Sequence, residues 1–564
     1  MASRWELADE DPGAEALARE AGVSRVLATL LRRRGVSTAE AAHRFLEPGE
    51  ADLHEPDRLA GAREAAALLL STARRGGRVV VFGDYDVDGV TAVAQLRAAL
   101  ARAGADAAAF IPHRLRDGYG LKPDTVRRVL RELSPSTIVT VDCGISAVDG
   151  VAAAREAGVD VIVTDHHLVP SALPAGAVVV NPRQPGCPYP YKELAATGVA
   201  MKIAEAVGTA AGRPVARESL LRAASLGTIA DLVPLDGENR TIASLGLARL
   251  GTARAPGLRA LLVEAGLRPG AAPSAEEVAF RIAPRLNAAG RLDTAMLALA
   301  LFEERDAERA EAIARELTVR NAQRQTLERA VVAEARRRIG PEPDAHVLIE
   351  ADASWHRGVL GIAASRLARE YHRPVLLFGI EGERASGSGR SIPGVSLHGV
   401  LTEMAAFFTE FGGHEQAVGG SLPAARLEEF RLSARDVFRR RVPPEALVRR
   451  AVAEAELPLD ALAPDLLAEL SRLEPHGAGN PRPVFLARDV RAAGPFRPVG
   501  ATGMRGRLRT RGGDVRAIAW QPPAGLDVLA ESGRSLDLHY RVAEDREWGL
   551  SVEILEARSA SGAA

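Results

Sequence analysis

Residues Arg78–Leu96, RVVVFGDYDVDGVTAVAQL, constrain the chain more than any other stretch. Val79–Phe82 is an apolar run of buried-strand length, Gly83 ends it, and Val90–Leu100 has helical spacing. Between them stand Asp84, Asp86 and Asp88, and Gly89 then lets the backbone turn. Alternate side chains of an extended segment point the same way. The three carboxylates therefore share one side of the chain at the C-terminal end of a strand, where open α/β sheets bind ligands. Such acids repel one another unless a cation lies among them, and an oxygen-rich cluster suits Mn2+ or Mg2+. A solvated acidic turn and a Ca2+ loop are the other readings. An EF-hand needs a preceding helix and a later glutamate, and this stretch has neither.

Three further segments end in the same way. Ser136–Ser146, STIVTVDCGIS, is an apolar strand ending in Asp142 and then Gly144. Val159–His167, VDVIVTDHH, ends in Asp165, His166 and His167, and Leu226–Leu235, LGTIADLVPL, carries Asp231 in an apolar setting. A single Asp or His in such a place is ordinarily a cap or a hydrogen-bonded core group. Four in one fold favour a binuclear metal site. GDYDVDG, VDCG, TDHH and ADLVPL resemble the successive motifs of the DHH phosphoesterase superfamily, and their order and spacing are most similar to the RecJ single-strand-specific DNA exonucleases. The resemblance runs from about Leu59 to near the C-terminus.

The resemblance implies a phosphodiesterase with two metal ions, a 5′ to 3′ exonuclease specific for single-stranded DNA and acting in repair and recombination. It implies Asp86, Asp88, Asp142, His166 and Asp231 as ligands, with Asp142 or Asp231 bridging, and Asp84 as a ligand or a group behind the ligands. His167 is expected to meet the substrate phosphate or protonate the leaving oxygen, and Asp165 to orient the histidines. Imidazole mixed with carboxylates favours Mn2+, with Mg2+ as the alternative. The direction of attack comes from the family alone. A second reading is a relative acting on short oligonucleotides or cyclic dinucleotides, and a third is a non-enzymatic scaffold on a decayed DHH fold. The intact acids and histidines argue against the third.

At 564 residues the chain is too long for one core. Its 47% hydrophobic and 26% charged content is that of a globular protein, and its net charge of −1 gives no global footprint for nucleic acid, so any DNA groove must come from local clustering. Lys122, Lys192 and Lys202 are the only lysines, a bias that a GC-rich genome explains as readily as phosphate recognition. Cys143 and Cys187 cannot build a disulfide scaffold, and the N-terminus has no apolar signal core. No run approaches the length of a membrane span. A cytoplasmic protein without membrane contact is expected.

The expected architecture is α/β: a parallel-sheet DHH domain joined by a long helix to a smaller α/β DHHA1-like domain, then an OB-fold β-barrel. The boundaries are 1–58 for a helical lead-in, 59–236 for the DHH domain, and 237–340 for helices ending in the long connector. The DHHA1-like unit follows at 341–445, and a linker with the OB fold at 446–564. In Phe110–Leu121, FIPHRLRDGYGL, the groups His113, Arg114 and Arg116 leave the same sheet edge as the acids. They are either solvated or in contact with phosphate, and Tyr119 either packs or stacks on a base. Arg281–Arg291, RIAPRLNAAGR, is expected to be a basic turn interrupting helices. It resembles a RecJ-type motif that reaches toward the scissile phosphate, with Arg285 in a catalytic role and Asn287 and Arg291 on the DNA. Glu303–Ile339 has the charge pattern of a solvent-exposed helical spacer. ASGSGRSI at 385–392 and GGHEQAVGG at 412–420 are expected to be glycine-rich loops. By resemblance to the DHHA1 domain they present Ser388, Arg390 and His414 to nucleic acid. Five short alternating strands in 484–556 fit an OB fold, with Arg505, Arg507, Arg509, Arg511 and Arg516 as a basic face. Partners expected by resemblance are single-stranded DNA, a single-strand-binding protein and a RecQ-type helicase, with the chain itself a monomer.

Overall fold

In the computed structural model, which describes residues 3–268, 270–341, 343–545 and 549–560, the first sheet follows from the alternation of apolar runs and helices. β1 (Arg78–Gly83), β2 (Asp106–Phe110), β3 (Thr137–Val141), β4 (Asp160–Thr164) and β5 (Ala177–Val180) are all parallel, in the order β2-β1-β3-β4-β5. Val79–Phe82 and all of β3 are buried, as expected of strands covered on both faces. The strand order reverses between β1 and β3, so their C-terminal ends flank the crevice where doubly wound sheets place a ligand. Helices α1 (Val87–Arg102), α2 (Ala196–Ala210), α3 (Arg217–Ala230) and α4 (Gly237–Leu250) join the same core.

The helical region departs from expectation at one point. Arg281–Arg291 is not a turn: Val278–Ile282 form one π-helical turn that runs into α5 (Ala283–Leu292). Ala283, Leu286, Ala288 and Ala289 give this segment a buried stripe, and Pro284 lies in the first turn, where its missing N–H is harmless. The connector α6 (Ala307–Ile339) is 33 residues long, about 50 Å. It is not a bare spacer. Ala310, Ala314 and Leu317 pack into the first core, and Val331, Val332 and Ala335 into the second unit, so one buried stripe binds the helix to both.

The second unit holds β6 (Leu348–Asp352), α7 (Arg357–Tyr371), β7 (Val375–Glu381), β8 (Arg384–Arg390), β9 (Glu410–His414) and β10 (Ala417–Pro423), in the sheet order β9-β10-β8-β7-β6. Only β6 and β7 are parallel, with α7 as their crossover. The two glycine-rich segments are therefore strands, not loops. A Cβ at Gly387 would lie 2.3 Å from the Phe378 ring, and one at Gly389 2.5 Å from Leu376. Those glycines admit core side chains rather than a phosphate.

The third sheet has the order β11 (Ala455–Glu456), β12 (Phe485–Val490), β16 (Leu536–Asp545), β17 (Gly549–Ser559), β15 (Gly513–Ala519), β14 (Gly503–Thr510), β13 (Arg497–Val499). Its core is shared with the N-terminal helices: Leu27, Leu30, Leu31 and Phe45 pack with Phe485, Leu508 and Tyr540. Arg4–Leu7 also pairs, parallel, with Arg450–Ala453. Arg240 of α4 ties this body to the first. It is buried, stacks on Phe45 at 3.9 Å, and donates to the carbonyls of Phe45, Arg472, Leu473, Glu474 and Pro475. No helix among the described residues is long and apolar enough to cross a membrane.

Candidate metal centre

Each acid is placed at or next to an end of an element. Asp86 caps α1, its carboxylate accepting the Gly89 N–H at 3.2 Å. Gly89 is required there, because a Cβ would fall 2.6 Å from the Asp84 carbonyl oxygen. Asp88 is buried, and its two oxygens accept the N–H groups of Ala196 at 2.9 Å and Thr197 at 2.8 Å, at the start of α2. The positive end of that helix supports the carboxylate. Asp142 follows β3 in the left-handed region at φ +63°, a conformation a non-glycine residue holds only where its surroundings enforce it. Asp231 caps the C-terminus of α3. His166 Nε2 stands 3.3 Å from Asp142 Oδ1 and 3.7 Å from Asp231 Oδ2.

These groups form three overlapping sets, Asp84–Asp86–Asp142, Asp88–His166–Asp231 and Asp142–His166–His167, the donor atoms in each lying within 4.8 Å of one another. Asp142 belongs to two of them. Burial, then the charge of Asp86, raises the Asp88 carboxyl to about 7; burial, then Asp88, raises Asp231 to about 9. Asp84 and Asp142 are pushed up for the same reasons. Burial pushes His166 down to about 3, leaving a neutral imidazole, the form that binds metals. Asp84 Oδ1 and His166 Nε2 are buried with no hydrogen-bond partner. Mutually repelling acids, a neutral imidazole and orphaned acceptors fit divalent cations, which reverse those upward shifts.

Asp165 is buried and works on His167. It accepts the N–H groups of Ile145, His166 and His167, and lies 2.7 Å from His167 Nδ1. Burial pulls His167 down, but the hydrogen bond and charge of Asp165 outweigh it and hold the imidazole above its ordinary value. Tyr119 donates its hydroxyl to the Asp142 carbonyl at 3.2 Å and sets its ring edge-on to His167. His414, at the end of β9, stacks within 10° of the His167 plane at 6.2 Å, so the second unit reaches the centre of the first.

Arginines converge beside the acids. Arg114 lies 4.8 Å over the Tyr85 ring. Burial, then Arg114, Arg324 and Arg390, depresses Arg291 to about 9. Burial and Arg114 likewise lower Arg390, whose guanidinium donates to Ser388 Oγ at 3.3 Å and the Gly389 carbonyl at 2.7 Å. Cations crowded in this way form a site for an anion. The other basic candidates are used differently. On a helix Asn287 and Arg291, four apart, share a face, whereas Arg285 points elsewhere. It donates to Thr318 at 3.2 Å and to the Arg281 carbonyl, away from the metal centre. Asn287 holds the acidic loop, accepting the Val87 N–H at 3.1 Å. His113 Nδ1 accepts the N–H groups of Leu115 and Arg116, and Arg116 itself is exposed.

Three contributors escaped the sequence reading: Tyr85 beneath Arg114, the α2 N-terminus on Asp88, and Arg324, buried on α6 and bonded to Asn321 and Glu328. None of the three left a local signal in the sequence: Arg324 stands out only once the buried stripe of α6 is seen.

The chain matches the DHH family N-terminal domain over residues 78–228, the DHHA1 domain over 344–440 and the RecJ OB domain over 453–550. It is 40% identical to the single-stranded-DNA-specific exonuclease RecJ of Thermus thermophilus, over 86% of this chain and 70% of that one. It is 36% identical to the protein of that name from Bacillus subtilis, of which it spans 62% while 86% of this chain is covered. A crystal structure of RecJ from Thermus thermophilus in complex with Mn2+ superimposes with a TM-score of 0.84 at 33% identity, covering 99% of this chain and 80% of that one.

Proposed function

The chain belongs to the RecJ family of single-stranded-DNA-specific exonucleases, and we propose that it removes nucleotides from single-stranded DNA in the 5′ to 3′ direction by metal-dependent phosphodiester hydrolysis. The observation that carries this is the pairing of two sets of opposite charge: crowded acids at the switch point, with Asp84 Oδ1 and the neutral His166 Nε2 left without a partner, and the Arg114, Arg291 and Arg390 cluster beside them.

Asp86, Asp88, Asp142, His166 and Asp231 would hold two divalent ions, Mn2+ before Mg2+, with Asp142 shared and Asp84 completing the set. Such ions supply a nucleophilic oxygen near neutral pH and neutralise charge around phosphorus. Asp165 engages His167 Nδ1 and leaves Nε2 to meet the phosphate or hand a proton to the leaving oxygen. Arg390, Ser388, Arg291 and Arg114 hold the terminal 5′-phosphate, which fixes which end enters. His414, stacked 6.2 Å from His167, brings the second unit against the metal centre, and in this reading the cleft between them admits one strand and not a duplex. The exposed arginines of β14, Arg505, Arg507 and Arg509, grip the strand farther out.

The domains divide as 1–58, 59–236, 237–340, 341–445 and 446–564, with the first and last sharing one core. A cytoplasmic monomer acting in DNA repair and recombination, with a single-strand-binding protein and a RecQ-type helicase as partners, completes the proposal. The test offers the purified chain and Mn2+ a labelled long single strand, the same strand as duplex, and a dinucleotide. Release of mononucleotides from the single strand, lost in Asp142→Ala, is the expected result. Cleavage of the dinucleotide alone would move the function to small substrates, and no cleavage would overturn both.

A further inference from the structure

Leu168 and Leu232 each directly follow a residue of the metal centre, His167 and Asp231, yet these two leucines are 65% and 71% exposed. Leu232 also holds a left-handed backbone at φ +63°, which glycine would adopt without strain. An exposed leucine in a strained conformation beside a polar centre contributes nothing to the core. Its position suggests its use. From Leu232 the chain runs through Pro234 to Leu235, whose N–H donates to the Ala478 carbonyl at 2.7 Å in the linker that leads to the third sheet. Gly477 and Gly479 pack against Leu235 and Pro234. Along the chain, Leu232 thus lies between a residue of the metal centre and a contact with the linker to the barrel. Leu173, 37% exposed, lies on the same segment as Leu168.

Resting on the nuclease reading, we propose that Leu168 and Leu232 form an apolar lip that takes the unstacked bases of the substrate strand as it passes from the barrel to the metal centre. Phosphates and sugars gain little from leucine, whereas an unpaired base offers an apolar face. A duplex keeps its bases stacked inside and presents none. The lip therefore favours single strands by attraction, in addition to exclusion by a narrow cleft.

The test uses two 5′-phosphorylated single strands with Mn2+, identical except that one has abasic residues at its second and third positions. Wild type should release the first nucleotide faster from the intact strand. In the double variant Leu168→Ala, Leu232→Gly that ratio should fall by about tenfold, the effect of losing apolar cover from leucine side chains. Leu232→Met, which keeps an apolar side chain, should retain most of it. Thermal melting is followed in parallel, and if the double variant does not fold, the single Leu168→Ala gives the same comparison. A wild type that treats both strands alike, or variants whose ratio stays within twofold of wild type, overturns the lip. A wild type that cleaves neither strand overturns the nuclease reading and the lip with it.

Discussion

At the residue scale the centre is a contest between burial and charge. Asp84, Asp88, Asp142 and Asp231 are raised by burial and then by neighbouring carboxylates, Asp86 among them, a crowding that bound divalent cations relieve without protonating the acids. Arg390 is the reverse case, a largely buried cation that donates to a hydroxyl and a carbonyl and stands beside Arg114 and Arg291. If it binds the terminal phosphate, Arg390→Ala should lower the preference for a 5′-phosphate over a 5′-hydroxyl strand by roughly ten- to a hundredfold, the size of a lost charge-assisted contact of about 1.5–3 kcal/mol. Rates on the two ends, with melting as a fold control, check this; an undiminished preference would exclude Arg390 as the anchor. The acids and histidines were legible in sequence because they gather where apolar runs end; the alternation of Asp84, Asp86 and Asp88 is not carried by extended chain, since Asp86 caps α1 and Asp88 lies in its first turn. The contacts of Arg285 could not be read from sequence, because they depend on whether its segment turns or continues as helix, and a shift of two helical positions carries a side chain to the opposite face.

At the element scale, glycines were read for the wrong partner. In β8 they make room for Phe378 and Leu376, and in α5 Gly290 makes room for the acidic loop, where a Cβ would come 2.4 Å from the Tyr85 carbonyl oxygen. Gly290→Ala should therefore push α5 off the loop that carries Asp84, Asp86 and Asp88. We expect a loss of roughly 1–3 kcal/mol in stability, as for other overpacked sites. Activity should fall further than that loss of folded protein explains. Denaturant unfolding and turnover on the same preparation separate the two. Full activity with an unshifted midpoint would show that the contact is slack. The strands and most helices were legible from period and apolar runs; the buried stripe of α6 was not, because its alanines are small and its charges dominate the pattern.

At the scale of the whole molecule, the two ends of the chain are packed together, which no local pattern announces. Leu27 and Leu30 complete the core of the barrel, so removing residues 484–564 would uncover the N-terminal helices rather than delete an accessory grip cleanly. The cleaner experiment replaces Arg505, Arg507 and Arg509 of β14 with alanine. KM on a long single strand should rise several-fold more than on a very short one, and the dependence of affinity on salt should weaken. Equal effects on both lengths would remove β14 from the binding path. The seam beside the barrel carries a pH dependence of its own. Burial, then Arg34, Arg482 and Arg240, pushes His476 down to about 3. The folded protein thus keeps it neutral where the unfolded chain protonates it, near its ordinary value of about 6.5. Its contribution is complete above pH about 6.5 and is lost as the pH falls toward 3, by up to about 1.4 kcal/mol per unit. His476→Phe should lose less stability between pH 7 and pH 5 than wild type, read from denaturant midpoints; parallel losses would show that His476 titrates normally.

The most direct measurement is anomalous scattering from crystals of this protein grown with Mn2+. We expect two peaks among Asp86, Asp88, Asp142, His166 and Asp231, with Asp142 between them, because those groups already stand within 4.8 Å in overlapping sets. Saturating Mn2+ that leaves this cluster without a peak, or that binds elsewhere on the surface, would contradict the assignment of the switch point as the catalytic centre.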